Sequence, residues 1–507
     1  MNGTLHDLAA GFAVALTPLH LGFALLGALL GTAVGVLPGI GPAMTVALLL
    51  PATFGVEPLG GLILLAGIYY GAMYGGSTTS ILFNVPGESA TIVTAIEGHQ
   101  MARAGRGGVA LATSAIGSFV AGIIGTLLIA LLGPRMARLA LAFGPAEQFA
   151  LILLAFTVVT SVLGEDRLRG IASLCVGLLL GLVGIDAQTG TARLTFGVPQ
   201  LLHGLDVVLI AAAFFAVGET LFLAWQEDDA PVAVAKRGPL RMSRADWRRS
   251  WPAWLRGTAI GFPMGALPAG GAELPTLISF GIERRLTRYP EEFGHGAIEG
   301  VAGPEAANNA SSAGTLVPLL ALGIPTTATA AVLLAAFQQY GLQPGPLLFQ
   351  REAQLVWGLL ASLLIGNATL LVLNLPLVGL WARLATVRPA LLHGGILVLA
   401  TVRTYALHRS PVDLLVLFAL GGLAFVMRIH AFPVVPVVIG ALLGPLAEQH
   451  LIRALAIAEG RWMLLVARPI AGTLFALAGQ TILVSVWRAL RPHVSAELVS
   501  AEVRAEH

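Results

Sequence analysis

Four stretches of this sequence contain no Asp, Glu, Lys or Arg: Leu8–Val56, Gly107–Pro134, Ala306–Gln350 and Ala353–Ala382. A membrane-crossing helix needs about 20 consecutive, mostly apolar residues, so each stretch has room for a span and the longest for two. Only 11% of the chain is charged and 56% is hydrophobic, whereas a soluble domain carries about a quarter charged residues. The sequence therefore predicts an all-α polytopic membrane protein with the lipid bilayer as its surroundings. A net charge of +2 offers no strongly basic surface, so no nucleic-acid partner is expected. The single cysteine, Cys175, excludes an intrachain disulfide and a Cys-based metal centre, and reads as a small apolar filler. Met1–Ala10 has only His6 and Asp7 as ionisable side chains, which predicts no cleaved signal peptide.

Apolar runs between charged or Pro/Gly punctuation give spans near 14–36, 42–54, 59–82, 108–132, 147–163, 168–185 and 205–225. A second set lies near 253–267, 271–282, 296–322, 325–341, 354–380, 389–405, 411–427, 431–447 and 463–487. Several are short or broken, so about 10–14 transmembrane or re-entrant helices are expected. They fall into a first half (1–225), a polar, basic linker (226–250), a second half (251–490) and a tail (491–507). Basic excess in short loops marks the cytoplasmic side. By that rule Gln226–Ser250 is cytoplasmic, and its polarity predicts tolerance to change; the Lys/Arg-free Thr53–Pro58 loop lies on the opposite side.

One internal repeat carries most of the functional signal. Gly31, Gly35, Leu37, Pro38 and Gly41 form G-x-x-x-G-x-L-P-x-x-G, and Gly261, Gly265, Leu267, Pro268 and Gly271 repeat it at a constant offset, 261 − 31 = 271 − 41 = 230. The glycines alone suit close helix packing. Leu-Pro-x-x-Gly goes further, because proline removes a donor and clashes with the preceding turn, interrupting the helix. Within a membrane, freed backbone groups are tolerated only inside protein or beside a wet cavity, and paired breaks in two halves mark a transporter site. Pro38, Gly39, Gly41, Pro268, Gly270 and Gly271 are therefore candidate binding positions.

A second pair of breaks follows. Ser77, Thr78, Thr79, Asn84, Pro86 and Gly87 trail the first motif, and Asn308, Asn309, Ser311 and Ser312 with Pro325, Thr326 and Thr327 trail the second. Pro38 to Pro86 is 48 residues and Pro268 to Pro325 is 57, so the two match only with a gap of nine. A single Ser or Thr here would bond to a carbonyl one turn back; clustered, they are expected to converge with the breaks on one site between the halves. Glu305, at the edge of the Ala306–Gln350 run, reads either as an intramembrane functional carboxylate or as a helix-start charge beside Pro304. Glu273, Glu88 and Glu299 are further carboxylates of the same kind. Basic residues are scarce near the breaks, so anion recognition would rest on backbone N–H groups at half-helix N-termini.

At these residues the chain resembles the TctA family, the large membrane subunit of tripartite tricarboxylate transporters. The matching stretches are Gly35–Gly41, Tyr69–Gly87, Gly265–Gly271, Glu299–Asn309 and Leu319–Pro325, with Pro304-Glu-Ala-Ala-Asn-Asn309 the most specific. Ala269 stands where the family commonly has glycine, and Thr326-Thr327 where Gly-Ser is common. The resemblance implies secondary-active uptake of a di- or tricarboxylate, citrate-like, across the bacterial inner membrane. It implies no organic cofactor, coupling to Na+ or H+, and two partners: a periplasmic solute-binding protein and a small four-span membrane subunit. The alternatives are a passive anion channel or a membrane-embedded enzyme. The enzyme reading lacks a nucleophile–base pair or a metal-ligand motif such as His-Glu-x-x-His. The halves read as inverted repeats, since Thr53–Pro58 lacks Lys and Arg while Glu283–Pro290 contains Arg284, Arg285 and Arg288.

Overall fold

The computed structural model describes residues 2–37, 40–53, 55–162, 167–186, 189–226, 238–267, 271–387 and 389–490. Its first part comprises α1 (Asn2–Ala15), α2 (Pro18–Gly35), α3 (Pro42–Leu49), α4 (Pro58–Phe83), α5 (Ile92–Met101), α6 (Gly107–Ala140), α7 (Pro145–Val162), α8 (Arg167–Gly181), α9 (Val207–Ala211) and α10 (Glu219–Gln226). A wider turn, Ala212–Gly218, joins α9 and α10 into one span. The second part comprises α11 (Arg244–Gly265), α12 (Glu273–Leu286), α13 (Glu299–Leu322), α14 (Ala328–Gln339), α15 (Leu348–Arg351) and α16 (Ala353–Leu384). It closes with α17 (Pro389–His408), α18 (Pro411–Ile429), α19 (Val435–Ile457), α20 (Trp462–Val466) and α21 (Pro469–Leu490). Seven helices are long and apolar enough to cross a membrane, and the only strands among the described residues are the antiparallel pair Gly184–Ile185 and Ala192–Arg193.

Proline sets the points at which the chain departs from the spans expected of it. Pro18 opens α2 at its first turn, so the expected 14–36 span is two helices. The 42–54 run yields the eight-residue α3, about 12 Å at 1.5 Å per residue, far short of a bilayer core of about 30 Å. The 271–282 and 325–341 runs likewise give α12 and α14, of 14 and 12 residues. These are short re-entrant elements held within the protein rather than crossings. Cys175, read as a filler, is exposed on α8.

The glycine repeat acts through packing. A Cβ built on Gly27, Gly31 or Gly35 of α2 would lie 2.4, 2.3 and 2.3 Å from the carbonyl oxygens of Leu64, Ile68 and Ala72 on α4. On Gly257, Gly261 and Gly265 of α11 it would lie 2.1, 2.1 and 2.0 Å from those of Gly303, Ala307 and Ser311 on α13. The glycines are offset by 230 residues (257 − 27, 261 − 31, 265 − 35) and the carbonyls they meet by 239 (303 − 64, 307 − 68, 311 − 72). The nine-residue difference is an insertion between α12 and the start of α13, where the chain forms the loop Thr287–Ile298. Both long helices then end alike, α4 at Asn84 (φ 57°) and α13 at Gly323 (φ 70°), each two residues before a proline.

The expected linker divides in two. Residues 227–237 lie outside the described residues. Residues 238–250, expected to tolerate change, are anchored: a capping box between Ser243 and Asp246 starts α11, Asp246 pairs with Arg106 at 2.5 Å, and Arg249 bridges Glu292 and Glu299 at 2.6 Å each.

Helix packing at the repeated glycines makes one expectation testable. Ala replacing Gly normally stabilises a helix by up to about 1 kcal/mol, yet at Gly261 its methyl would meet the Ala307 carbonyl oxygen at 2.1 Å, whereas at Gly422 nothing lies within 4 Å. Gly261→Ala should lower the melting temperature of the purified protein by several degrees, consistent with an overpacking cost of about 1–3 kcal/mol, and Gly422→Ala should not.

Candidate functional site

Both helix breaks open onto one cavity of about 560 Å³. Its lining falls into equivalent pairs. At the offset of 230 stand Gly41 with Gly271, Pro42 with Ala272 and Ala43 with Glu273; at 239 stand Met73 with Ser312, Gly87 with Thr326, Glu88 with Thr327 and Ser89 with Ala328. Ser312 Oγ lies 2.8 Å from Met73 Sδ, its own equivalent. Equivalent residues touch each other beside an axis relating two copies of a surface, so the cavity sits where the two repeats meet.

Each repeat brings two helix starts to this wall. Gly41 caps α3, with Pro42 in its first turn, and Gly271 (φ 50°) precedes α12. Glu88 forms a capping box with Thr91 ahead of α5, and the Thr327 hydroxyl caps α14 by accepting from Ala330 N at 3.1 Å. Helix N-termini carry partial positive charge and unpaired N–H groups. Unpaired carbonyls at the breaks are met by side chains instead: Thr45 Oγ1 donates to Gly41 O (2.9 Å), Ser311 Oγ to Gly271 O (2.5 Å) and Thr326 Oγ1 to Gly265 O (3.0 Å).

The expected site residues thus divide. Gly41, Pro86, Gly87, Gly271, Ser312, Thr326 and Thr327 line the cavity. Asn308 stands directly behind its wall, Nδ2 donating to Glu88 Oε1 at 2.7 Å, and Ser311 repairs the second break. Pro325 is buried beneath the α14 start. Pro38, Gly39, Pro268 and Gly270 lie outside the described residues. Thr79 bonds to the Gly76 carbonyl (2.9 Å) on its own helix, Thr78 is buried on α4, and Asn84 is an exposed left-handed helix end; none of these three lines the cavity.

Ser77, Glu305 and Asn309 meet elsewhere, in a fully buried cluster. Glu305 lies inside α13, not at its start, and accepts from Ser77 Oγ (2.6 Å), Thr94 Oγ1 and Ser114 Oγ (2.9 Å). Asn309 Nδ2 donates to Ser118 Oγ at 2.7 Å and to the Glu305 carbonyl at 3.1 Å. The reading of Glu305 as a helix-start charge is excluded by this placement; Glu299 and Glu273 occupy such starts.

Sequence reasoning passed over Arg428. It ends the apolar helix α18, some 160 residues beyond the second motif (428 − 268 = 160), yet it lines the cavity. Arg428 holds Glu219 through two bonds, Nε to Oε2 at 2.9 Å and a terminal nitrogen to Oε1 at 2.6 Å, and stacks 4.6 Å from the Phe222 ring centre. A guanidinium has five N–H donors, so the pair leaves donors free for a second partner. A lone arginine at the end of an apolar run was the available signal, and it reads equally well as a span boundary.

Helices of this length and apolarity around a cavity floored by broken helices define a polytopic α-helical membrane protein. The chain belongs to the tripartite tricarboxylate transporter TctA family, whose model matches residues 21–439. It is a multi-pass membrane component of that transporter class. It is 45% identical over 491 residues, 97% of this chain and 98% of the relative, to an uncharacterised 52.8 kDa protein from the TAR-I ttuC' 3' region of Agrobacterium vitis. An uncharacterised protein from the TAR-II ttuC' 3' region of the same organism is 41% identical over 232 residues, 46% of this chain and 94% of the relative. No solved structure matches the chain.

The placement of the polar residues predicts a labelling pattern. In a Cys175→Ser background, cysteines replacing Ser89 or Thr327, which line the cavity, should react with a small hydrophilic thiol reagent. A cysteine replacing Thr79, fully buried, should not; equal labelling at all three would contradict the partition.

Proposed function

We propose that this chain is the large, substrate-translocating permease of a binding-protein-dependent transporter, and that the cavity between the repeats receives a di- or tricarboxylate. One observation carries the reading: four helix starts, two from each repeat, and the free edge of Arg428 face a single cavity of about 560 Å³. N–H groups and a guanidinium suit carboxylates, the latter through bidentate bonds. Glu88, Glu219 and Glu273 share the lining, so an anion entering without a cation would meet net negative charge. Uptake coupled to Na+ or H+ answers that repulsion. The family supports a periplasmic solute-binding protein and a small four-span subunit as partners, and the bacterial inner membrane as location. The twofold-like pairing of the lining supports alternating access by movement of one repeat against the other, with the repeats read as inverted.

Two outcomes test this reading. In proteoliposomes holding all three subunits, Arg428→Gln with Glu219→Gln, which avoids leaving the glutamate unpaired, should raise the KM for labelled citrate about 10–100-fold, the worth of bonds to a charged group. An unchanged KM would remove Arg428 from the site. The same vesicles should accumulate substrate against its gradient only when the solute-binding protein is present; downhill equilibration without it would favour a passive channel.

A further inference from the structure

The cluster around Glu305 has no part in holding the carboxylate. It lies behind the cavity wall, and four elements build it: α13 supplies the carboxylate, and α4, α5 and α6 supply the Ser77, Thr94 and Ser114 hydroxyls. Glu305 has no exposed surface, and among the described residues no Lys, Arg or His pairs with it. A buried carboxylate without a counter-charge costs several kcal/mol.

A second observation shows the same deficit. Asn309, four residues on from Glu305 and with no exposed surface, uses its Nδ2 on Ser118 and the Glu305 carbonyl, while its Oδ1 has no partner. Asn308, 1% exposed, leaves its Oδ1 unpartnered as well, its Nδ2 being given to Glu88. Buried amide oxygens are ordinarily satisfied. One turn of α13 therefore carries a carboxylate short of positive charge and two oxygens short of an electron-pair acceptor.

A cation meets both needs. The donors are all oxygen, from carboxylate, hydroxyl and amide, which selects a hard cation over a transition metal. The formal charge is a single negative, so a monovalent ion leaves the centre neutral where a divalent one leaves a buried positive charge. Among the described residues no group of three or more His, Cys, Asp or Glu could hold a metal ion, which fits an ion held by neutral oxygens around one carboxylate. A proton would neutralise Glu305 but leave the amide oxygens unmatched. We propose that Glu305, with the hydroxyls of Ser77, Thr94 and Ser114 and the side-chain oxygen of Asn309, forms a Na+ site. This deepens the reading of the chain as a coupled carrier and rests on it for its purpose. Asn308 ties the site to the substrate cavity, since it neighbours the ion ligands on α13 and holds Glu88 on the cavity wall.

The test is binding of 22Na+ to the purified full chain in nanodiscs, with no carboxylate and no partner subunit present. Saturable binding should be displaced by unlabelled Na+ but not by equal K+. Ser114→Ala, which removes one hydroxyl, should weaken it roughly tenfold or more; Glu305→Gln, checked for monodispersity by size exclusion, should abolish it. Ser362→Ala, whose hydroxyl bonds to the Leu359 carbonyl in α16, should bind as the parent does. Binding retained in both Ser114→Ala and Glu305→Gln would overturn the site. Absence of binding in the parent chain, with uptake following a pH gradient, would overturn Na+ in favour of a proton. Because no carboxylate is present, failure of the carboxylate reading would leave this result standing, and citrate uptake surviving without Na+ binding would sink the ion site alone.

Discussion

A backbone that leaves the helical path at membrane depth strands N–H and C=O groups where no water reaches them, and each stranded group costs several kcal/mol. This cost organises the centre of the molecule. The breaks after α2 and α11 can exist because hydroxyls close their carbonyls, Thr45 at the first and Ser311 and Thr326 at the second. The N–H groups have a different outlet, the cavity, where a ligand or water meets them. Polar side chains that look alike in the sequence thus serve two ends: some make the breaks affordable and others face what the breaks expose. Close glycine packing of α2 on α4 and of α11 on α13 supplies the rigid wall that keeps the broken segments inside protein and away from lipid.

The fold class and the breaks were legible because their signals are local. Apolar length decides a span, and Leu-Pro-x-x-Gly interrupts a helix whatever surrounds it. The second correspondence looked looser, since a gap of nine separates the matching prolines; with the insertion placed before α13 it holds residue for residue at an offset of 239. The partition of the polar residues was not legible. Thr79 and Ser77 lie two residues apart, yet one bonds within its own helix and the other reaches Glu305, 228 positions away. Nothing in a single chain of letters distinguishes them, because the difference is which face of α4 meets α13. Thr94, Ser114 and Arg428 were missed for the same reason: each enters through a partner about 190–210 residues distant in sequence (305 − 94 = 211, 305 − 114 = 191, 428 − 219 = 209).

The pairing of the lining extends to the backbone but not to the chemistry. Glu88 stands opposite Thr327, and Glu273 opposite Ala43, so each repeat contributes one carboxylate where the other has a small or neutral residue. Arg428 and Glu219 come from outside both motifs and have no counterpart in the paired set. A twofold-like frame lined in this way is built to move symmetrically and to bind asymmetrically. Helix starts from both repeats can grip opposite ends of a molecule with two or more carboxylates, while the single guanidinium fixes which end faces α18.

The same division of labour explains why the charged groups sit at two depths. An anion cavity that contains three carboxylates works against its own ligand unless positive charge arrives with it. A cation sharing the cavity would compete for space and for the same oxygens. Setting Glu305 and its hydroxyls behind the wall, with Asn308 spanning to Glu88 at 2.7 Å, gives the cation a separate enclosure whose field still reaches the cavity through protein of low dielectric. Coupling in such an arrangement needs no contact between the two solutes. It needs only that the first repeat's α4 and the second repeat's α13, which carry both sites, stay docked when either site is filled.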